Sequence, residues 1–459
     1  MTPSPTPGPS PTPTPTPSPR GAALPPHVTL TRATAEDVPA MAVADGRAFG
    51  FHYEDQDVAD LRPIVEPERF VLARDSSARD SSAHNSSTHD SPAHDSSDQG
   101  GIVGIAGSFD FTVTLPGGTP LPAAGVTWVS VAATHRRRGI LRAMLNDLHH
   151  GYAAAGTPLA VLNASEGGIY GRFGYGVATT ERAVEIDRRR AVFRPDVPDP
   201  GGVRYAGVEE AGRCAPDIHR RWCAVQPGAV SRSDDWWSYT LLDRPHQRRG
   251  ASARFHLLHD DGYAAYRTDR STCRVVEFFA ATEQAHLALW RVLIALDLVT
   301  TVALDDLPTD DPLPWLLTDP RAVSTTGMSD ALWARVLDPA AVLAARRYAV
   351  ETDAVLQVHD PDGLADGRFR LRGGPDGAEC TRTDDTPDLH LDVPALGALA
   401  FSGTRLRTLV RAGRAELPTG AGAATGAGAA TGAGAGPTDE SVLDAAFHPE
   451  REPTAGTRF

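Results

Sequence analysis

The sequence predicts an α+β protein in three ordered blocks, on three observations. Apolar runs of period two and amphipathic runs of period 3.6 alternate through residues 27–200. The same alternation returns more weakly through residues 203–329. Residues 330–459 then mix short strands with helices, as layered α+β domains do. The expected partition is a Pro-rich tail at 1–26, a first domain at 27–200, a second at 201–329 and a third at 330–459. Low-complexity inserts interrupt the first domain at 74–98 and the third at 419–436.

Taken in order, residues 27–31 read as a strand and Thr34–Ala48 as a helix. Phe70–Ala73 is a strand, and hairpin-like strands run from Ile102 to Val113. Between them lies a five-residue repeat rich in Asp, Ser, Ala and His, a solvated loop by composition. In the second block, the strands Gly262–Arg267 and Arg274–Phe279 precede a helix that Thr282 caps. Its apolar side carries Leu287, Trp290, Leu293, Ile294 and Leu298. The third block opens with a helical segment at Ala331–Ala349. Strands follow at 354–359, 368–372 and 389–391, with helices at 393–401 and 441–447. The tail at 1–26 places proline at alternate positions; proline cannot donate to a β-ladder, so polyproline II or disorder is expected. The Gly/Ala repeat at 419–436 has the composition of a flexible linker.

Composition removes several classes. The chain has 459 residues, 41% of them apolar, but no run of about 18 apolar residues, so no spanning helix is expected. The first 20 residues lack the apolar core of a secretory signal. A net charge of −14 is opposite to the basic footprint of a nucleic-acid binder and suits cationic small molecules. All 44 basic residues are arginine, which excludes a lysine nucleophile, a Schiff base and a P-loop lysine. Cys214, Cys223, Cys273 and Cys380 form no C-x-x-C pair and fit reduced, buried thiols in a cytosolic protein. No H-E-x-x-H metal motif and no G-x-S-x-G elbow is present, so neither a metal nor a serine hydrolase is expected.

The densest chemical signal is Val126-Thr-Trp-Val-Ser-Val131 followed by Ala132-Ala-Thr-His-Arg-Arg-Arg-Gly-Ile-Leu141: a strand, a basic turn and a helix start. A helix N-terminus offers unpaired N–H donors and partial positive charge to a pyrophosphate. Gly139 lets the main chain approach closely, and Arg136, Arg137 and Arg138 add forked donors. Ile140, Leu141, Met144, Leu145, Leu148 and Tyr152 form the apolar face of the helix that follows. A second signal lies in Asn163-Ala-Ser-Glu-Gly-Gly-Ile-Tyr-Gly-Arg-Phe-Gly-Tyr-Gly176, just past a buried strand at 158–163. A phenol titrating near 10 is protonated at neutral pH and can donate to a departing thiolate. Tyr170 is the candidate donor and Tyr175 the alternative.

The turn at 137–142 resembles the Arg/Gln-x-x-Gly-x-Gly/Ala motif of the GNAT superfamily of N-acetyltransferases, with Leu141 departing from the last position. The two motifs together closely resemble the Eis (enhanced intracellular survival) family. Further similar segments are Asp261–Arg267, Asp311–Asp319 and Leu443–Phe447, so the likeness spans about 27–459 without the inserts. It implies tandem GNAT-like domains, each a mixed sheet flanked by helices, and a sterol-carrier-protein-like third domain. The second GNAT-like domain is expected to lack a cofactor loop, and no Arg-x-x-Gly turn precedes the helix after Thr282. Also implied are a homohexamer, acetyl-CoA as donor, and N-acetylation of amines such as aminoglycosides.

Carried over by position, the resemblance gives the main chain of Val129, Ser130 and Val131 to the donor, and Arg137, Arg138, Gly139, Ile140, Leu141 and Arg142 to its pyrophosphate. Ser165 and Glu166 line the acyl end, and Tyr170 is the general acid. The base is the C-terminal carboxylate, here that of Phe459. An α-carboxyl titrates near 3.5, so it would act by positioning or through burial. The acidic run Glu54–Asp57 is a further candidate for amine contact. The competing expectation is an acyl-CoA-sensing or lipid-binding protein that uses the third domain.

Overall fold

The computed structural model describes residues 24–77, 101–418 and 439–459. Nearly all of the expected Pro-rich tail, most of the five-residue repeat and the Gly/Ala linker lie outside the described residues.

The chain begins with β1 (Val28–Arg32), α1 (Val38–Phe49), α2 (Asp55–Leu61) and β2 (Val71–Asp75). The long strands β3 (Gly101–Thr114) and β4 (Pro120–Val131) follow, then α3 (Ile140–Ala154) and β5 (Leu159–Asn163). A two-residue β6 (Gly176–Val177) leads to β7 (Thr180–Asp187). The next part holds β8 (Arg204–Ala206), α4 (Val208–Cys223), α5 (Asp234–Thr240) and the meander β9 (Phe255–His259), β10 (Gly262–Asp269) and β11 (Thr272–Ala280). After it come α6 (Glu283–Ile294), β12 (Thr301–Leu307), α7 (Leu313–Leu316), β13 (Val323–Asp330) and β14 (Leu332–Val336). The remainder is α8 (Pro339–Ala345), β15 (Thr352–His359), β16 (Gly367–Gly374), β17 (Gly377–Arg382), β18 (Leu389–Asp392), α9 (Val393–Ala400), α10 (Leu406–Arg411), β19 (Ala415–Glu416) and α11 (Glu440–Ala446).

These strands make three sheets, ordered β1-β2-β3-β4-β5-β14-β6, β13-β7-β12-β11-β10-β9-β8 and β17-β16-β15-β18-β19. Sheets flanked by helices give the α+β class that the sequence predicts. Sheet membership crosses the expected partition. The strand β7, from before residue 200, lies in the second sheet, and β14, from after residue 329, completes the first. By that partition the first domain lends β7 to the second sheet, and the third block lends β14 to the first.

Three elements differ from expectation. Residues 331–349 are not one helix: β14 pairs along its whole length with β5, and only Pro339–Ala345 is helical. The alanines favour a helix, but a slot beside β5 buries all five residues of β14, and burial overrides local propensity. Ile102–Val113 is not a hairpin but one long strand; the turn back into β4 lies at 115–119. The helix after Thr282 ends at Ile294, leaving Leu298 beyond it and 93% exposed. Its start is as expected, with Thr282 Oγ1 accepting from Ala285 N at 3.3 Å.

Arg335 on β14 ties the third domain to the first. It is buried; one terminal nitrogen donates to Phe173 O at 2.5 Å and the other contacts the Asp360 carboxylate at 3.2 Å. Arg335→Met strands a buried carboxylate, a change that costs about 3–5 kcal/mol. The urea midpoint of the variant is expected to fall accordingly; an unchanged midpoint would show the pair to be dispensable.

Candidate active site

The strand β4 carries a β-bulge. Ile105 pairs with Ser130 and Gly107 with Thr127, so Ala106 faces two residues, Trp128 and Val129. Trp128 takes φ = 51°, a left-handed conformation rare for a bulky side chain. The parallel pairing of β4 with β5 runs from Ala123↔Leu159 to Gly125↔Val161 and stops there. Beyond Gly125 the β5-facing edge of β4 carries no ladder among the described residues, so main-chain groups around Val129 and Val131 could pair with an extended ligand.

The basic turn follows that open edge. Arg137 (φ = 63°) and Gly139 (φ = 81°) both take left-handed backbone, and Gly139 is the N-cap of the fifteen-residue α3. The N–H groups that open α3 are therefore presented at the turn rather than spent inside it. Arg136, Arg137 and Arg138 are exposed. Ile140 is 1% exposed, so its side chain belongs to the core and only its main chain is offered. The Ser130 side chain is buried as well. The Arg142 guanidinium packs over the Phe173 ring, 5.6 Å from its centroid. His135 fixes the turn from behind, its Nε2 lying 2.9 Å from the Asp75 carboxylate of β2, a link with no signal in the sequence. Gly139→Val places a β-branched residue in left-handed backbone, which costs about 1–3 kcal/mol or crowds the diphosphate. Calorimetry is expected to show a dissociation constant for acetyl-CoA raised by roughly 10- to 100-fold; unchanged affinity would remove this turn from the binding site.

Tyr170 opens a 3₁₀ turn, Tyr170–Phe173, beyond β5. It shares an apolar cluster with Val126, Val129, Leu141 and Leu162, so the bulged strand, the start of α3, the end of β5 and the phenol meet in one place. Burial, aided by the nearby Glu166 carboxylate, pushes the Tyr170 phenol up to about 12. The two candidate phenols differ in their partners. Tyr175 is fully buried and its hydroxyl lies 2.9 Å from His149 Nε2, whereas among the described residues no hydrogen bond engages the Tyr170 hydroxyl. Ser165 and Glu166 sit exposed in the intervening turn.

The chain terminus reaches the end of β5. Phe459 N donates to Asn163 Oδ1, at the end of β5, at 3.2 Å. Its ring lies 4.9 Å from that of Phe111, and a Cβ built on Gly125 would stand 3.0 Å from Phe459 Cε2. Gly125 is the last β4 residue paired with β5, so the terminal residue sits where the two strands part. Preceding it, Arg458 pairs with Glu181 on β7, amid the charges of Asp305, Asp306 and Asp330. Burial pushes the Glu181 carboxyl up to about 7, against the pull of Arg458. The acidic run at 54–57 is used differently. Asp57 meets His246 and Gln247 at 2.9 Å each, and Asp60 meets Arg244 at 2.7 Å, clasping the second domain to the first.

The strand bulge, the left-handed glycine and the parting of β4 from β5 fit an acyl-CoA transferase. Residues 29–178 match the family model described as Acetyltransferase (GNAT) domain. A second of the same description matches residues 228–336, and a Sterol carrier protein domain matches 339–455. N-acetyltransferase Eis of Mycobacterium tuberculosis is 39% identical over 397 residues, 84% of this chain and 92% of its own length. The chain belongs to the Eis family of GNAT N-acetyltransferases. An uncharacterized N-acetyltransferase of Streptomyces coelicolor is 40% identical over 70% of this chain and 81% of its own. Among solved structures, Eis1 from Mycobacterium abscessus superposes with a TM-score of 0.75 at 30% identity, over 94% of this chain and 100% of its own. The Eis-family assignment makes this an N-acetyltransferase with two GNAT domains and a sterol-carrier-like third. GNAT acetyltransferases use acetyl-CoA. Among the described residues no helix is long and apolar enough to cross a membrane.

Proposed function

We propose that this Eis-family enzyme moves an acetyl group from acetyl-CoA directly to primary amines of cationic small molecules such as aminoglycosides. Acetyl-CoA supplies the activated acyl group as a thioester. The main chain of Val129, Ser130 and Val131 would align it, and the turn of Arg137, Arg138, Gly139, Ile140, Leu141 and Arg142 would hold its diphosphate. Ser165 and Glu166 would flank the acyl end. The Phe459 carboxylate would take a proton from the acceptor ammonium, freeing the amine that attacks the thioester carbonyl, and Tyr170 would give a proton to the sulfur as the C–S bond breaks.

One observation carries this reading. The terminal residue sits at the parting of β4 and β5, while a phenol with no hydrogen-bond partner among the described residues lies in the apolar cluster that shares Val129 and Leu141. The Phe459 ring packs on Phe111 and its main-chain N–H is held by Asn163, so a carboxylate there would act as a base through its positioning. The cationic acceptor is supported by the carboxylates around Arg458: Glu181, Asp305, Asp306 and Asp330. The lipid-carrier alternative gains no support from the third domain. Its core holds the fully buried Arg346 guanidinium, 4.7 Å from the Tyr348 ring centroid and 4.6 Å from that of Phe447. The same family reading carries the homohexamer and the cytoplasmic location.

The test is thiol release. Purified protein mixed with acetyl-CoA and kanamycin is expected to liberate free thiol well above the acceptor-free rate, with mass spectrometry counting the acetyl groups added. Release no faster than background over a panel of aminoglycosides and polyamines would refute the acceptor class.

A further inference from the structure

Residues 454–457 of the tail are held by the second domain, in which no Arg-x-x-Gly turn precedes α6. Loop 226–232, between α4 and α5, lies between the first domain and the tail. On one side, Gly228 N donates to Thr114 O at 2.7 Å and Ser231 N to Thr112 O at 2.9 Å, both on β3. On the other, Thr454 N donates to Pro227 O at 2.9 Å, Val230 N to Ala455 O at 3.1 Å and Thr457 Oγ1 to Val230 O at 3.2 Å.

Arg232 closes this socket. Its side chain is 3% exposed and its donors are shared between the domain and the tail. Toward the domain, its terminal nitrogens contact the Glu277 carboxylate of β11 at 2.8 and 3.3 Å. Toward the tail, Nε donates to Thr457 Oγ1 at 2.9 Å and a terminal nitrogen to Gly456 O at 2.7 Å. The guanidinium stacks on Trp237, 4.8 Å from a ring centroid. Gly456 takes φ = 63°, and a Cβ there would stand 2.3 Å from Trp222, so the tail passes through a gap that admits glycine alone. Only a flat, forked cation meets a carboxylate, a hydroxyl and a carbonyl in this way; an ammonium has no such geometry.

We propose that Arg232 is a positioning residue for the terminal carboxylate, and that the second GNAT domain acts as a socket that aims the tail into the first domain's site. This rests on the Phe459 carboxylate acting as the base. Arg232 reaches Gly456 and Thr457, whose placement sets where Phe459 ends, and has no contact with the donor turn at 137–142.

Four proteins test it: the natural chain, Arg232→Met, the chain extended by a few residues past Phe459, and both changes together. Arg232→Met is expected to lower kcat about 10²-fold, as misplacement by about 1 Å does, with acetyl-CoA affinity held within about twofold. In the extended chain it is expected to cost nothing more, because the carboxylate is already displaced. Carboxypeptidase digestion of the intact protein, followed by mass spectrometry, is expected to release Phe459 faster from Arg232→Met. Thr457→Val, which leaves the second domain's core untouched, is expected to shift kcat and release in the same directions by smaller factors. Multiplicative losses in the double variant, or unchanged kcat and unchanged release in Arg232→Met, would overturn the positioning role while the extension's own effect stands. An extension that leaves kcat intact would instead remove the carboxylate base, and this proposal with it.

Discussion

Tyr170→Phe is expected to lower kcat by about 10²- to 10⁴-fold, the range of a lost general acid, and to leave acetyl-CoA affinity within about a factor of two. The phenol is buried beside Leu141 and Val129, and phenylalanine fills the same space, so binding and stability have little reason to change. Because burial pushes the phenol up to about 12, it stays protonated across the working range of the enzyme. The kcat profile of the natural enzyme is therefore expected to show no Tyr170 limb below about pH 10. Tyr175→Phe provides the contrast. Its hydroxyl is committed to His149, so its loss is expected to act on stability more than on turnover. Equal kcat losses in the two variants would return Tyr175 to contention as the donor.

Extending the chain past Phe459 is the second large effect. Added residues convert the terminal carboxylate into an amide, which neither carries charge nor accepts a proton. A kcat loss of about 10²-fold or more is expected, with the dissociation constant for acetyl-CoA unchanged. The donor turn at Gly139 and the tail at Phe459 are built from different segments, so a loss confined to turnover is what this geometry requires. Equal losses in turnover and in acetyl-CoA affinity would mean that the extension distorts the parting of β4 and β5, and not that it removes a base.

Where an interaction is local, it was readable from the chain. The Arg-Arg-Arg-Gly turn, the helix after it, the Thr282 cap and the buried strand before Tyr170 depend on residues within a turn or two of one another. What the sequence hid is nonlocal. The placement of β14 beside β5 joins residues 332–336 to 159–163, and Ala-rich flanks masked the strand as helix. The bulge at Trp128 has no glycine to announce it; the constraint comes from the pairing with β3. Leu298 fits the helical period of α6 but lies past its end. The contrast between Tyr170 and Tyr175 lies in His149, a neighbour of Tyr175 only in three dimensions. The seat of Phe459 required Asn163, and the socket around Arg232 required Glu277 and Trp237, none of which forms a motif with it.

The most direct measurement is a crystal structure of the protein with coenzyme A and an aminoglycoside. The account predicts the diphosphate on the main-chain N–H groups after Gly139, the sulfur within hydrogen-bond reach of the Tyr170 hydroxyl, and an acceptor nitrogen against the Phe459 carboxylate. A diphosphate bound elsewhere, or a Tyr170 hydroxyl turned away from sulfur, would contradict it.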